Sequence, residues 1–228
     1  MTTSHEFPTP SQILDGKVII PIEPQRDWKT YVVDMADSQD HWLSYAFRGF
    51  EEMYRQKGKI DHFVVIGTGS GVDAIGAIEI MHPKRVTVTD LAPAILERAR
   101  ENIAIYQQNG GKKIPVTFGL GSLCEPLGTD KADVIYANLP NLPVPPEQKV
   151  RLMEGGTSAV FFDPDSITHV PDAIERNLLS LQHAFLLQAL NHLSDHGKVV
   201  MSLGARMPLD AIYSLVLRDM NRISVSFA

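Results

Sequence analysis

Phe63-Val64-Val65-Ile66-Gly67-Thr68-Gly69-Ser70-Gly71 decides the reading of this chain. Four apolar residues, three of them β-branched, read as a strand buried on both faces. The run stops at a glycine-rich turn, and a helical apolar pattern starts at once with Val72. A strand, a glycine turn and a helix in that order let backbone pass close to a bound ligand, with helix N–H groups aimed at it. Working outward, Arg85 to Thr89 is a second strand that ends in Asp90, about twenty residues past the last glycine. An acid there accepts hydrogen bonds from a ribose diol. The plain alternative is a turn of small residues with Asp90 capping the helix that follows.

From residue 59 the chain alternates strand and helix. Strands are expected over 60–66, 85–90, 115–119, 132–138, 197–203 and 222–227, and helices over 72–82, 93–109, 172–194 and 207–220. This alternation predicts an α/β fold with a mostly parallel, doubly wound, Rossmann-like sheet. Ile174, Leu178, Leu181, Phe185 and Ala189 recur at helical spacing and read as a core stripe. Residues 1–58 read as an N-terminal extension, with an extended piece over 17–22 and one helix from about Ser38 to Gln56, capped by Asp37 or Ser38. That leaves 59–228 as the main domain. Residues 139–171 are rich in Pro, Gly and Asp and long for a connection, which fits a functional lid or a mobile segment.

Composition narrows the function classes. With 228 residues and 44% hydrophobic content, the chain can bury one ample core. The formal net charge is -6 and no dense basic run occurs, which disfavours broad electrostatic binding of nucleic acid. No basic start leads into an apolar stretch, and nowhere do 18 apolar residues run together, so neither secretion nor a membrane span is expected. Cys124 is the single cysteine, so no intrachain disulfide can form and a cytoplasmic setting is the expectation.

The chain resembles the class I S-adenosylmethionine (SAM)-dependent methyltransferases over about residues 59–227. The resemblance is carried by Val65 to Gly71, Thr89-Asp90-Leu91-Ala92-Pro93, Gly119-Leu120-Gly121-Ser122-Leu123 and Ala137-Asn138-Leu139-Pro140-Asn141. A nicotinamide enzyme is the competing reading, but the glycine spacing is G-x-G-x-G rather than G-x-G-x-x-G. The resemblance implies S-adenosylmethionine as cofactor, with Gly67, Thr68, Gly69 and Gly71 along its methionine and ribose part. Asp90 would hold the ribose hydroxyls beside Leu91, Ser122 and Leu123 would lie near the adenine, and Asn138 would border both cofactor and acceptor. Two positions depart from the family pattern. Val65 stands where an acid is common, and Ser122 stands where Asp often meets the adenine amino group.

Asn138-Leu139-Pro140 follows the strand Asp133 to Ala137 at its carboxyl end, where open α/β sheets keep their ligands. An Asn amide oxygen and a neighbouring backbone carbonyl can accept two N–H bonds from a planar amine and orient its lone pair. The catalytic residues expected are therefore Asn138, Leu139 and Pro140. The motif is similar to that of the release-factor glutamine N-methyltransferases, as are Val18 to Pro24 and Glu154-Gly155-Gly156. Asn141 stands where those enzymes carry Tyr or Phe, so a stacking face would have to come from Phe161, Phe162 or an N-terminal aromatic. A tight turn of Asn and Pro is the bland alternative. The function implied is methyl transfer to a small or peptide-borne polar acceptor, with nitrogen favoured. A small-molecule O- or S-methyltransferase and a non-catalytic SAM-binding protein stay open.

Other groups carry less chemistry. Asp163-Pro164-Asp165 with His169 reads as a solvated loop rather than an acid–base group. His183, His192 and His196 belong to a helix and its end, where solvent-facing roles or favourable charge near the C-terminus are ordinary, and make no metal site. Trp42, Tyr45, Phe47 and Tyr54 read as packing the extension onto the domain. Cys124 reads as a small buried residue. The resemblance implies a seventh strand after the sixth, yet the strand expected at 222–227 leaves one residue after it. The expectation is therefore either a piece of a longer protein lacking the last strand, or a sixth strand placed differently with the exposed edge of the fifth covered by a second copy in a homodimer.

Overall fold

A computed structural model describes residues 42–143, 161–162, 167, 169–203, 212–213 and 215. Its centre is a five-stranded sheet in the order β3-β2-β1-β4-β7, with every neighbouring pair parallel. The strands are β1 (His62–Ile66), β2 (Arg85–Asp90), β3 (Val116–Leu120), β4 (Ala132–Ala137) and β7 (Leu193–Met201). Parallel neighbours need crossover connections, and helices α2 (Val72–Met81), α3 (Pro93–Gln108) and α5 (Ser180–Leu190) supply them. β1 is buried along its whole length, which is why its sequence is a continuous apolar run rather than an alternation. A second, two-stranded ladder pairs β5 (Leu142–Pro143) with β6 (Phe161–Phe162).

Two cores flank the sheet. On one face, α1 (Trp42–Lys57), α2 and α3 bury Phe47, Phe50, Phe63, Ile75, Ile103 and Tyr136. Phe50 meets Phe63 and Tyr136 edge-on, at centroid distances of 5.4 and 4.8 Å, a favoured aromatic geometry. Gly76 permits this helix pair: a Cβ there would stand 1.9 Å from Phe47 Cε1. Phe47 and Trp42 thus pack α1 onto the domain, whereas Tyr45 is exposed and Tyr54 lies against the His82 ring. On the other face, α5 covers Val64, Ile66 and Ile135 with Phe185, Leu186 and Ala189.

The expected helix over 172–194 is two helices, α4 (Asp172–Arg176) and α5, separated by a turn at Asn177–Leu178. Leu178 takes φ +57° and is exposed, so it is no part of the core stripe; its apolar spacing continues across a break in the helix. The expected strand at 197–203 starts earlier, at Leu193, which pairs with Ala132. Lys198 then pairs with Val134, so Ser194–Gly197 forms an irregularity inside the ladder. Residues 17–22, Asp37, Ser38 and the strand at 222–227 lie outside the described residues, as does most of the helix expected over 207–220. The proposed pairing of the sheet edge with a second copy depends on that strand and lies outside them too. Among the described residues, no helix is long and apolar enough to cross a membrane.

Candidate active site

The carboxyl ends of β1, β2, β3 and β4 converge, and the residues singled out in the sequence lie on the loops that leave them. After β1, Gly67, Gly69 and Gly71 take φ of +68°, +53° and +82°, a region that only glycine enters without strain. At Gly71 a side chain would also press on Ala99, with its Cβ 3.2 Å from the Ala99 Cα. At Gly69 nothing stands within 4 Å of a Cβ position, so the turn is open there. The Thr68 N–H donates to the Thr89 carbonyl at 2.9 Å, and Asn102 Nδ2 donates to the Ser70 carbonyl at 2.8 Å, fixing the turn to β2 and α3. The Thr68 hydroxyl is buried with no partner among the described residues.

Asp90 closes β2 and is buried. Its Oδ2 accepts the Gly69 N–H at 3.1 Å and its Oδ1 accepts the Ala92 N–H at 3.0 Å. Burial pushes its carboxyl above the ordinary range, and the N–H groups of Ala92, Gly69 and Leu91 oppose that rise. A carboxylate has about four lone-pair positions, so the Gly69 and Ala92 bonds, one to each oxygen, leave each oxygen able to accept one hydroxyl of a diol. Leu91 follows directly, and Leu120, the register partner of Asp90, closes β3; both are more than half exposed. Two exposed leucines beside a buried acid suit a planar base next to a ribose.

On β3's side, the Gly121 N–H donates to the Asp90 carbonyl at 3.1 Å. The Ser122 N–H donates to Glu125 Oε2 at 3.2 Å, and Leu123 takes φ +47°, an uncommon conformation for a branched side chain. The Leu123 carbonyl accepts the Thr89 hydroxyl at 3.4 Å. Cys124 is fully buried and burial pushes its thiol up to about 12, the opposite of what a nucleophile requires.

After β4, Asn138, Leu139, Pro140 and Asn141 are half-buried. Leu139 rests on the glycine turn, its Cδ2 3.2 Å from the position a Gly67 Cβ would take. The β5–β6 ladder pairs Leu142 with Phe161 and Pro143 with Phe162, which brings both phenylalanine positions beside the loop that lacks an aromatic at Asn141.

Two residues here escaped the sequence reading. Asp73, the second residue of α2, is buried, and its Oδ1 accepts the Ala74 N–H at 2.8 Å. Burial foremost, and then the nearby Asp90 charge, raise its carboxyl to about 7. Gln182 is 1% exposed, and its Nε2 donates to the Leu139 and Pro140 carbonyls, both at 3.3 Å. Neither stands out in the sequence, because α2 also carries Glu79 and α5 also carries Ser180, His183 and Gln188.

Other candidates stand apart. His192 and His196 sit at the start of β7, the opposite end of the sheet. His183 is buried on α5, not solvent-facing, because that face of the helix packs on the sheet. His169 is exposed, and Asp163–Asp165 lie outside the described residues. Among the described residues no cluster of His, Cys, Asp or Glu could hold a metal ion.

Residues 48–144 match the family model described as ribosomal protein L11 methyltransferase (PrmA). The release factor glutamine methyltransferase of Lactococcus lactis subsp. lactis (strain IL1403) is 28% identical over 139 residues, which are 61% of this chain and 46% of that protein. The chain thus spans just under half the length of that curated relative. The crystal structure of a ribosomal protein L11 methylase from Lactobacillus delbrueckii subsp. bulgaricus aligns with TM-score 0.52 and 21% identity, over 79% of this chain and 69% of that one. A SAM-dependent methyltransferase from Agrobacterium tumefaciens aligns with TM-score 0.50 and 12% identity, over 76% of this chain and 48% of that one. The fold is therefore the Rossmann-like fold of SAM-dependent methyltransferases, and the matched segment contains the glycine turn, Asp90 and Asn138.

Proposed function

We propose that this chain, a SAM-dependent methyltransferase by fold and by its matched segment, methylates a nitrogen on a peptide or protein. The observation that carries this reading is the contact between the two loops: Leu139 of Asn138-Leu139-Pro140 rests on Gly67 of the glycine turn. An acceptor held by the first loop would lie beside a cofactor held by the second. When bound, S-adenosylmethionine supplies a methyl group on a positively charged sulfur.

The chain's own residues then divide the work. Asp90 accepts the ribose hydroxyls while its backbone partners at Gly69 and Ala92 keep the carboxylate in place. Gly69 leaves room for close approach, and Leu91 and Leu120 offer apolar surface to the base. Ser122 and Leu123 border the same pocket end, with Ser122 in the place of an adenine-facing acid. Asn138 Oδ1 and the Leu139 carbonyl accept the N–H bonds of a planar amide, so that its nitrogen lone pair is directed at the methyl group. Pro140 limits the backbone freedom of the loop, and Asn141 offers no stacking face. A relative named for glutamine in a release factor, and others named for ribosomal protein L11, support a protein-borne nitrogen acceptor.

The test is release of S-adenosylhomocysteine in the presence of a release factor, ribosomal protein L11 or a small amide. Asn138→Ala should lower turnover on the order of a hundredfold with little change in S-adenosylhomocysteine affinity, because positioning is lost and cofactor binding is not. Turnover unchanged in that variant would leave Asn138-Leu139-Pro140 as a turn and nothing more.

A further inference from the structure

We propose that Gln182 is the positioning residue of the acceptor loop, acting through the Leu139 and Pro140 carbonyls without touching either substrate. The inference rests on the reading of Asn138-Leu139-Pro140 as the loop that holds the acceptor. Gln182 sits in the first turn of α5 among Leu181, Phe185, Leu186 and Ala189, on a helix whose work is to cover the sheet. An apolar residue of the same length would serve that packing without the cost of burying an amide. Instead the side chain is 1% exposed, and its Nε2 reaches both carbonyls of the loop at 3.3 Å.

The orientation of the amide follows from chemistry. Turned the other way, Oε1 would face two carbonyl oxygens, acceptor against acceptor. Held as it is, Oε1 is left buried with no partner among the described residues. The structure thus tolerates an orphaned acceptor in order to keep one donor on two carbonyls. A carbonyl has two lone pairs, so the bond from Gln182 leaves the Leu139 oxygen able to accept a second N–H. The loop also meets the glycine turn, where Leu139 Cδ2 lies against Gly67. Gln182 therefore holds the backbone of the loop while Gly67 meets its Leu139 side chain, and Asn138 is the residue just before the held segment.

Two substitutions in the full chain separate this role from plain packing. Gln182→Met keeps the length and shape and loses only the donor. The backbone amides of Asn138, Leu139 and Asn141 should have NMR order parameters near the rigid value of about 0.85 in the wild type and below about 0.6 in this variant. Gln182→Glu restores a donor only while its carboxyl is protonated, and burial beside two carbonyl oxygens raises that carboxyl above its ordinary range. Its loop should be rigid at about pH 5.5 and mobile at about pH 8, a dependence absent from the wild type and from Gln182→Met. A loop as rigid in Gln182→Met as in the wild type, or one that ignores pH in Gln182→Glu, would overturn the proposal. Neither reading needs turnover, so a failure of the methyl-transfer assay strikes the proposed function and leaves this result to be judged by itself.

Discussion

Asp73 offers a direct check on the electrostatics beneath the glycine turn. It occupies the second position of α2, where a helix N-terminus favours negative charge, yet it is 3% exposed and feels the Asp90 charge. Burial dominates and lifts its carboxyl from an ordinary 3.8 to about 7. In the window between those values the folded chain keeps a proton that the unfolded chain has released, so raising the pH through it lowers stability. Below the window both states are protonated and above it both are ionised, which leaves the curve flat on either side. The full penalty is about 4 kcal/mol, and more than half of it falls between about pH 5 and pH 8. Asp73→Asn keeps the Oδ1 acceptor for the Ala74 N–H and removes the titration. Urea unfolding followed by circular dichroism at a series of pH values should show the wild type losing stability across that window. The variant should lose much less and be the more stable of the two at the upper end. Asp90, raised in the same direction, accounts for a remaining slope in the variant. Equal slopes in the two proteins would refute the reasoning.

Two further predictions concern packing. Gly76→Ala would gain about 1 kcal/mol of helix propensity in an open helix. Here the new methyl meets Phe47 at 1.9 Å inside a closed core, so the variant should be less stable than the wild type by about 1–3 kcal/mol, with part of the loss recovered in a Phe47→Leu background. Denaturation showing Gly76→Ala to be stabilised would contradict the α1–α2 contact. Cys124 should resist alkylation by iodoacetamide in the folded chain at mildly alkaline pH and react fully in denaturant, as read by mass spectrometry. Reaction of the folded chain at the rate of a free thiol would mean that the turn after β3 opens.

Much of the fold was legible because strong local signals agreed with the tertiary arrangement. The run Phe63 to Ile66 is apolar on both faces because β1 is the buried centre of a parallel sheet, and its end is marked by glycines that the positive φ values require. Asp90 and Asn138 were placed by the same logic, since each ends a recognisable strand. Apolar spacing misled at Leu178, where a periodic leucine lies in a turn, because periodicity records side-chain type and not backbone continuity. Ser194 is expected to end a helix and Gly197 to start a strand, yet Leu193 already pairs with Ala132, a partner distant in sequence, and Ser194 to Gly197 interrupt the ladder. Gln182 and Asp73 were invisible for a related reason: their importance comes from what lies across space, the Leu139 and Pro140 carbonyls for one and the Asp90 carboxylate for the other.

The central claim is that the carboxyl ends of β1 and β2 hold S-adenosylmethionine, and calorimetric titration with S-adenosylhomocysteine tests it most directly. The wild type should bind one equivalent. Asp90→Ala should bind on the order of a hundredfold more weakly or worse, since hydrogen bonds to a charged group contribute about 1.5–3 kcal/mol each. A circular dichroism spectrum unchanged from the wild type shows that the loss belongs to the site and not to the fold. No heat of binding with the wild type, or equal affinity in the two proteins, would contradict the account.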